Sequence, residues 1–316
     1  MLPTLSAIRD ARARIAGRVH QTPLFSATLI GRQCGVQLSL KCESFQKTGS
    51  FKARGALNAV MLLSDDARSR GVVTVSAGNH AQALAWAAAS AGVRCTVVMP
   101  ATASETKAAA SAGYGAEVIR HGTGAEAFGR ANEIAKEHGM TFVHPFDDPM
   151  VLAGAGTTGL EILEQAPDVE VVIVPIGGGG LIGGVASAIK QLRPDVHIIG
   201  VEPEGAAAMR QSIDAGHPVR LASLNTIADG LAAPFAGDIA FEVVTRFVDD
   251  VVLVTDAEIS AAMSILLSRA KLLAEPAGAA ATAALLAKKI SAADGKRVVS
   301  IVSGGNVDLD RLRTLI

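Results

Sequence analysis

Residues 171–184 read VVIVPIGGGGLIGG, an apolar, mainly β-branched run that meets four consecutive glycines and then a second apolar segment. β-Branched residues favour strands, and a glycine-rich turn before a helix exposes backbone N–H groups that bind anions. The stretch therefore predicts a buried strand, an anion-binding loop and a helix that continues to about Gln191.

Similar short apolar runs alternate with longer alanine-rich stretches of helical spacing along the rest of the chain. Together with the first, the predicted strands are 72–75, 95–99, 117–120, 171–174, 197–201, 251–254 and 298–302. Such alternation is typical of βαβ units, and strands that are apolar throughout are typical of parallel sheets covered on both faces. We therefore expect an α/β fold with one or two open sheets. Ligands of such sheets bind beyond the carboxyl ends of the strands.

Composition limits the classes of function. The chain has 316 residues, 49% of them apolar, and a formal charge of −1 from 29 basic and 30 acidic side chains. This length predicts about two domains, and the balanced charge predicts neither nucleic acid nor a membrane surface as a partner. Three cysteines without CxxC spacing argue against a disulfide framework or a zinc site and favour a reducing cytoplasm. The longest uncharged run, 171–189, contains Pro175 and six glycines, which is unlike a membrane helix.

The glycine-rich loop alone leaves its ligand open. Gly178, Gly180 and Gly183 form a GxGxxG pattern, and Glu202 ends the next predicted strand about twenty residues later. That pattern is the dinucleotide-binding fingerprint. The alternatives are the phosphate of another ligand or plain glycine packing.

Two other predicted strands are also followed by candidate binding groups. Residues 76–80, SAGNH, open a helix whose first amides suit a carboxylate, and Asn79 adds a directional hydrogen-bonding group. The alternative is that Asn79 is only a helix cap and His80 a surface residue. Ser303 follows the last predicted strand and could bond a ring nitrogen, or could belong to an ordinary turn.

Lys52 is the candidate nucleophile. It lies in QKTGSFKARG (46–55), where Ser50 is predicted to cap a helix and to place Lys52 in its first turn. The positive end of the helix dipole favours a neutral amine, and Arg54 adds repulsion in the same sense, unless either side chain simply points into water. A neutral amine is what Schiff-base chemistry requires.

Together, five motifs resemble those of the fold-type II pyridoxal-phosphate enzymes, most closely the threonine/serine dehydratase and serine racemase branch. They are KTGSFKARGA, SAGNHAQ, HPFDDP, GGGGL and SGGN, and the resemblance covers essentially the whole chain. It implies a tryptophan synthase β-like fold of two open, mostly parallel sheets with flanking helices. It also implies a large cofactor-binding domain, residues 1–52 and 147–316, and a small mobile domain, residues 53–146. The glycine loop then holds the phosphate of pyridoxal 5′-phosphate, which displaces the dinucleotide interpretation.

The resemblance also implies roles for individual residues. Lys52 matches the catalytic lysine that binds the cofactor, with Phe51 beside it. Asn79 matches the partner of the ring 3-hydroxyl, and Ser303 the partner of the ring nitrogen. The phosphate-binding positions are Gly177, Gly178, Gly179 and Gly180. The substrate-binding positions are Ser76, Ala77, Gly78, Asn79 and His80.

The implied reaction is β-elimination from L-threonine or L-serine to 2-oxobutanoate or pyruvate plus ammonia, in a cytoplasmic homodimer. The helical stretch 259–271 could bury the subunit interface. The racemase branch has a second serine where this chain has Ala77, and a methyl group cannot move a proton, which favours dehydration. The alternatives are dehydration of a related substrate such as 3-hydroxyaspartate, serine racemisation, β-replacement, and a non-catalytic amino-acid sensor.

No metal site is predicted. Many relatives bind a divalent cation through a glutamate and an aspartate six residues later. The matching positions here are Glu202 and Ala208, and alanine offers no ligand. Glu204 would be the obvious substitute.

Overall fold

The computed structural model describes residues 2–316 and contains two β-sheets flanked by helices. The strands are β1 (Leu24–Ser26), β2 (Gln37–Cys42), β3 (Val72–Val75), β4 (Cys95–Met99), β5 (Glu117–Arg120), β6 (Thr141–Phe142), β7 (Val171–Pro175), β8 (His197–Pro203), β9 (Asp250–Val254) and β10 (Arg297–Val302). The helices are α1 (Leu5–Ile15), α2 (Thr28–Cys34), α3 (Lys52–Met61), α4 (Asp65–Arg70), α5 (Asn79–Ser90), α6 (Glu105–Gly113), α7 (Gly124–His138), α8 (Pro149–Gln165), α9 (Gly180–Lys190), α10 (Ala208–Ala215), α11 (Asp238–Phe247), α12 (Asp256–Ile265), α13 (Pro276–Leu286) and α14 (Leu309–Leu315).

The larger sheet has six strands in the order β1-β2-β10-β7-β8-β9, all parallel except β1. Both of its faces are buried. Val171 and Ile173 pack into the apolar cluster on one side, whereas Val172 and Val174 pack into the cluster on the other. Because successive side chains of a strand point to opposite faces, a strand covered on both sides is apolar at every position.

The smaller sheet has the order β5-β4-β3-β6 and is parallel throughout. Val72 and Val97 contribute to the core on one face, and Val73 and Val98 to the core on the other. The prediction of two open, mostly parallel sheets is therefore confirmed. All seven predicted strands are present, with ends shifted by at most two residues.

Sequence reasoning missed the strands β1, β2 and β6. β2 carries polar Ser39 and Lys41 within its apolar run, so it does not read as a buried strand. Lys41 is nevertheless wholly buried, because its ammonium donates to Glu161 Oε2 at 2.6 Å. Pairing with a residue 120 positions away makes this strand possible.

Glycines bring α3, α8 and α9 into close contact. A Cβ built on Gly154 of α8 would lie 2.6 Å from the Cα of Gly55 in α3, and one on Gly184 of α9 would lie 2.4 Å from the carbonyl oxygen of Leu152 in α8. Neither side chain would fit. This packing fixes α3, whose first residue is Lys52, against the larger sheet's helices. None of the helices described within residues 2–316 is both long enough and apolar enough to cross a membrane.

Candidate active site

Lys52 begins α3, as predicted, but the cap is different. Ser50 is extended, its buried hydroxyl has no hydrogen-bond partner among the described residues, and Phe51 occupies the cap position. The prediction that Ser50 caps the helix is therefore wrong. The reason is tertiary, since Ser50 pairs with Gly304 as an isolated β-bridge that holds the backbone extended.

The amine of Lys52 is partly shielded from water. Its Nζ donates to the carbonyl oxygen of Pro145 at 2.7 Å and lies 5.1 Å from the centroid of the Phe51 ring. Burial lowers the pKa of Lys52 to about 8, because an ammonium loses its hydration there. A substantial fraction of the amine is therefore neutral near physiological pH.

Arg54 does not repel Lys52 or point into water, so both predictions for it are wrong. Its guanidinium is buried and binds two carboxylates, Glu43 at 2.7 and 2.8 Å and Glu161 at 2.6 and 2.8 Å. Lys41 joins the same cluster through Glu161. The positive charges of Arg54 and Lys41 are therefore balanced by the negative charges of Glu43 and Glu161. Burial, and not a neighbouring cation, accounts for the lowered pKa of Lys52.

The loop after β10 lies directly beside the Lys52 loop. The backbone N–H of Phe51 donates to the carbonyl oxygen of Ser303 at 3.1 Å, and that of Gly305 donates to Gly49 at 3.0 Å. Ser303 is buried, and its hydroxyl has a long contact of 3.4 Å to the carbonyl oxygen of Ala277. Two segments separated by most of the chain thus form one wall.

The loop after β3 supplies a second wall. Ser76 Oγ accepts from the N–H of Gly78 at 3.1 Å, and α5 begins at Asn79. His80 is buried, with Nε2 3.3 Å from the carbonyl oxygen of Val143, so the interpretation of His80 as a surface residue is wrong. Burial keeps the pKa of His80 well below its usual value, so the ring is neutral. Ala77 is half-buried within this loop.

Asn79 connects the two walls through a residue that sequence reasoning missed. Asn79 Nδ2 donates to Glu275 Oε1 at 2.6 Å, and Asn79 Oδ1 accepts from Asn306 Nδ2 at 2.8 Å. Glu275 is buried, and burial raises its pKa to about 7. The available signal was an isolated carboxylate immediately before Pro276, at the start of helix α13, whose residues are apolar except for Thr282. Such a position is unusual for a charged residue.

The four glycines at 177–180 form a tight turn between β7 and α9. Gly179 has φ +94°, a left-handed conformation that favours glycine, and Gly180 is the first residue of α9. A Cβ on Gly178 would lie 2.2 Å from the ring of Phe146. The turn therefore has room for backbone only. The N–H groups at the start of a helix have no partner within the helix, and here they belong to this turn.

Phe146 links the glycine turn to Lys52. It follows Pro145, whose carbonyl oxygen accepts from the lysine, and its ring packs edge-to-face against His144 and Phe235 at centroid distances of 4.6 and 5.3 Å. Burial lowers the pKa of His144 to about 4. HPFDDP thus places a neutral aromatic cluster beside the amine and the glycine turn.

Glu202 is engaged by backbone N–H groups. Its carboxylate is buried and accepts from the N–H groups of Met209 and Arg210, each at 2.8 Å, so it closes the start of α10. Burial raises the pKa of Glu202 to about 8. Glu204 Oε1 lies 4.0 Å from the ammonium of Lys289. Within residues 2–316, no group of three or more His, Cys, Asp or Glu side chains could hold a metal ion.

The residues present fit pyridoxal phosphate. A partly buried amine with a lowered pKa could bind the aldehyde, and a turn with little room for side chains suits a phosphate. The buried hydroxyl of Ser303 and the amide of Asn79 could bond the polar atoms of the ring. Each of these groups lies at the carboxyl end of a strand or the start of a helix, where α/β sheets bind ligands.

Comparisons with known proteins agree with this geometry. The L-threonine ammonia-lyase of Thermotoga maritima is 45% identical over 99% of this chain and 78% of its own. The catabolic L-threonine dehydratase of Escherichia coli is 43% identical over 96% of this chain and 93% of its own. The structure of maize serine racemase superposes with a TM-score of 0.96, at 42% identity, over 99% of this chain and 97% of its own.

The family comparison confirms the resemblance drawn from the five motifs, and with it the cofactor. Residues 15–304 match the family described as pyridoxal-phosphate dependent enzymes. This span includes the Lys52 loop, the loop after β3, the glycine turn and Ser303. The chain therefore belongs to the pyridoxal-phosphate-dependent enzyme family. It is similar both to a threonine ammonia-lyase and to a serine racemase.

Proposed function

We propose that this protein is an ammonia-lyase that dehydrates L-threonine or L-serine to 2-oxobutanoate or pyruvate and releases ammonia. The observation that carries the proposal is the buried amine of Lys52, held between the Phe51 ring and the Pro145 carbonyl with a pKa lowered to about 8. The similar proteins of T. maritima and E. coli are named for the same reaction on L-threonine.

Lys52 has two tasks in this proposal. Its Nζ would hold the cofactor, and as a free amine it would take the proton from the substrate Cα. Bound pyridoxal phosphate supplies the electron sink for that step. The lowered pKa matters for both tasks, because only the neutral amine can act as nucleophile or base.

The other residues of the site hold the cofactor. The turn at 177–180 would bind the phosphate through backbone N–H groups, and the Phe51 ring would lie beside the cofactor. Ser303 would bond the ring nitrogen and Asn79 the ring hydroxyl. A neutral serine stabilises a protonated ring nitrogen less than a carboxylate would, which favours prompt loss of the β-substituent over transamination.

The loop at 76–80 binds the substrate carboxylate. α5 begins at Asn79, so the N–H groups of its first turn have no partner within the helix and lie at its positive end. His80 is neutral and buried, so it supports the loop and adds no charge. The loop comprises Ser76, Ala77, Gly78, Asn79 and His80.

Racemisation is the second candidate, because maize serine racemase is similar over nearly the whole chain. It needs an acid on the face of the substrate opposite Lys52. Ala77 occupies the position where the racemase branch has a serine, and its methyl group cannot supply a proton. We therefore place elimination first.

We also propose the domain division. The smaller sheet, β3 to β6, lies entirely within residues 53–146, and the larger sheet is built from both ends of the chain, residues 1–52 and 147–316. The loop at 76–80 belongs to the small domain, and the glycine turn and Ser303 to the large one. Substrate binding would draw the small domain onto the large one and exclude water.

We also propose that the protein forms a homodimer in the cytoplasm. Within 259–271, Ile259, Met263 and Leu266 pack into the core, so that face of the stretch does not offer the interface. Its opposite side reaches a patch of exposed apolar side chains: Phe25 and Phe45 pack edge-to-face with centroids 6.0 Å apart, and Phe25 and Leu29 line a cavity of about 270 Å³ together with Arg269 and Ala270. A second copy of the chain would cover them, and light scattering in solution would measure the mass.

The test is an assay of ammonia and 2-oxo acid from L-threonine, L-serine and 3-hydroxyaspartate, with Lys52→Ala as the control. We expect release from at least one of the first two and none from the variant. Ligand binding without ammonia would instead identify a sensor, and product formation that requires sulfide would identify a β-replacement enzyme. Turnover of threonine by Lys52→Ala would overturn the proposal.

A further inference from the structure

Glu275 is a buried titratable group to which the proposed mechanism gives no task. It precedes the first residue of α13, and its backbone N–H donates to the carbonyl oxygen of Gly304 at 3.2 Å. A Cβ on Gly304 would lie 2.1 Å from Glu275 Oε1 and 3.2 Å from Asn79 Nδ2. The carboxylate therefore lies directly beneath the loop that follows β10, in contact with the amide of Asn79.

A chain of directional hydrogen bonds ends at this carboxylate. Asn306 Nδ2 donates to the carbonyl oxygen of Thr48 at 2.7 Å and to Asn79 Oδ1 at 2.8 Å, and Asn79 Nδ2 donates to Glu275 Oε1 at 2.6 Å. The backbone carbonyl at one end can only accept. The carboxylate at the other end accepts as well, so both amides between them have a single favourable orientation.

That orientation decides what Asn79 can offer to a ligand. Its oxygen is bonded to Asn306 and one of its two amide hydrogens to Glu275. The group left over is the second N–H, which is a donor. A flipped amide would turn its NH2 group toward the Asn306 NH2 group, where two donors would face each other, and its carbonyl oxygen toward Glu275, where two acceptors would meet whenever the carboxylate is ionised.

We propose that Glu275 is a positioning residue that fixes the Asn79 amide so that it presents an N–H to the ring hydroxyl oxygen of bound pyridoxal phosphate. The inference rests on the proposed role of Asn79 in the reaction. A donor at that oxygen favours its ionised form, whereas a carbonyl would favour the protonated form.

The Asn79 amide is fixed by the oxygen of Glu275 that accepts its hydrogen bond, and the negative charge of the carboxylate is not required. Burial raises its pKa to about 7, and the other charged groups that act on it are Lys107 of α6 and Asp229. A protonated carboxyl group still keeps one carbonyl oxygen that accepts from Asn79. Glutamine keeps that oxygen too, so Glu275→Gln is the conservative control. Methionine fills a similar volume without any strong acceptor.

The experiment compares Glu275→Met, Glu275→Gln and Asn79→Ala by two readouts that do not depend on turnover. The first is the dissociation constant of pyridoxal phosphate from the apoprotein. The second is the absorption spectrum of the bound cofactor against pH, which reports ionisation of the ring hydroxyl. We expect Glu275→Met to weaken binding about tenfold, the loss that one misplaced hydrogen bond produces, and to shift the spectrum toward that of Asn79→Ala. Glu275→Gln should match the unmodified protein in both.

Two results would overturn the inference. One is an unchanged spectrum and affinity in a folded Glu275→Met; the other is an equal disturbance in Glu275→Gln, which would make the charge decisive. If Glu275→Met does not fold, Asn306→Ala removes the other fixed partner of Asn79 at an exposed position, and a smaller spectral shift in the same direction is expected; no shift would count against the inference. Failure of the unmodified protein to release ammonia would overturn the proposed function alone.

Discussion

The amine of Lys52 contacts one carbonyl oxygen and one aromatic ring, which replace part of its hydration shell. Burial disfavours the ammonium, and the carbonyl of Pro145 gives the amine a defined direction. Arg54, two residues later on the same helix, does not contribute to the lowered pKa of Lys52, because two carboxylates bind it. The reactivity of the lysine therefore follows from its position in the fold.

The first prediction concerns pH. The pKa of Lys52 is lowered from 10.5 to about 8, and only the neutral form can bind the aldehyde, so capture of pyridoxal phosphate by the apoprotein should accelerate with rising pH and level off above about pH 9. Stopped-flow absorbance would measure the rate. A rate that keeps rising tenfold per pH unit to about pH 10 would show an ordinary lysine.

The second prediction concerns Ala77. Ala77→Ser adds a hydroxyl at the position that the racemase branch uses, so we expect D-serine to form from L-serine. Chiral chromatography would quantify it. Ala77→Gly also changes the side chain but adds no hydroxyl, and it should form no D-serine. Equal amounts from both variants, or none from either, would show that the hydroxyl does not explain the difference between the branches.

Among the elements, the glycine turn and helix α9 show how backbone packing builds a site. The turn excludes side chains for two separate reasons, the positive φ of Gly179 and the ring of Phe146 over Gly178. β8 ends with a different arrangement, where each oxygen of the Glu202 carboxylate accepts from a backbone N–H at the start of α10.

The third prediction tests the turn. Gly178→Ala places a methyl group against the Phe146 ring, and relief of that clash must displace the ring or the turn. We expect the affinity for pyridoxal phosphate to fall about ten- to a hundredfold, the usual scale for overpacking. The matched control is Gly113→Ala in α6, where nothing lies within 4 Å of the added carbon. Isothermal titration of both apoproteins would measure the difference, and equal affinities would contradict it.

The fourth prediction follows from the end of β8. Because both oxygens of Glu202 already accept from backbone N–H groups and Glu204 lies 4.0 Å from the Lys289 ammonium, millimolar Mg²⁺ or Ca²⁺ should not change the rate of ammonia release. The same rate should remain after dialysis against EDTA. Activation by either ion, reversed by the chelator, would disprove this interpretation of Glu202.

At the scale of the whole molecule, one buried charge cluster connects distant parts of the chain. Arg54 of α3 binds Glu43, which follows β2, and Glu161 of α8, and Lys41 of β2 binds Glu161 as well. All four side chains are nearly inaccessible to water. The cluster joins the helix that carries Lys52 to the larger sheet, so loss of one member leaves an uncompensated charge in the interior.

The fifth prediction is a loss of stability. Arg54→Met leaves Glu43 and Glu161 without their main partner, and the free energy of unfolding should fall by about 3–5 kcal/mol. Urea unfolding would measure the change. Arg313→Met removes an exposed ion pair with Asp310 and should have no measurable effect. Equal stabilities of the two variants would show that the buried cluster does not anchor α3.

The sequence by itself determined the seven strands it predicted, the glycine turn, and Lys52 at the start of a helix. These features depend on local properties: β-branched runs, glycine at a positive φ, and motifs read along a few residues. The residue types that fit pyridoxal phosphate were therefore recognisable without a structure.

Only the tertiary structure decided what surrounds them. Ser50 is extended because it pairs with Gly304, and β2 can bury Lys41 because Glu161 lies 120 positions away. Asn79 meets Glu275 from a distance of 196 positions along the chain. Burial and partner choice depend on which distant segments pack together, and no short stretch of sequence contains that information.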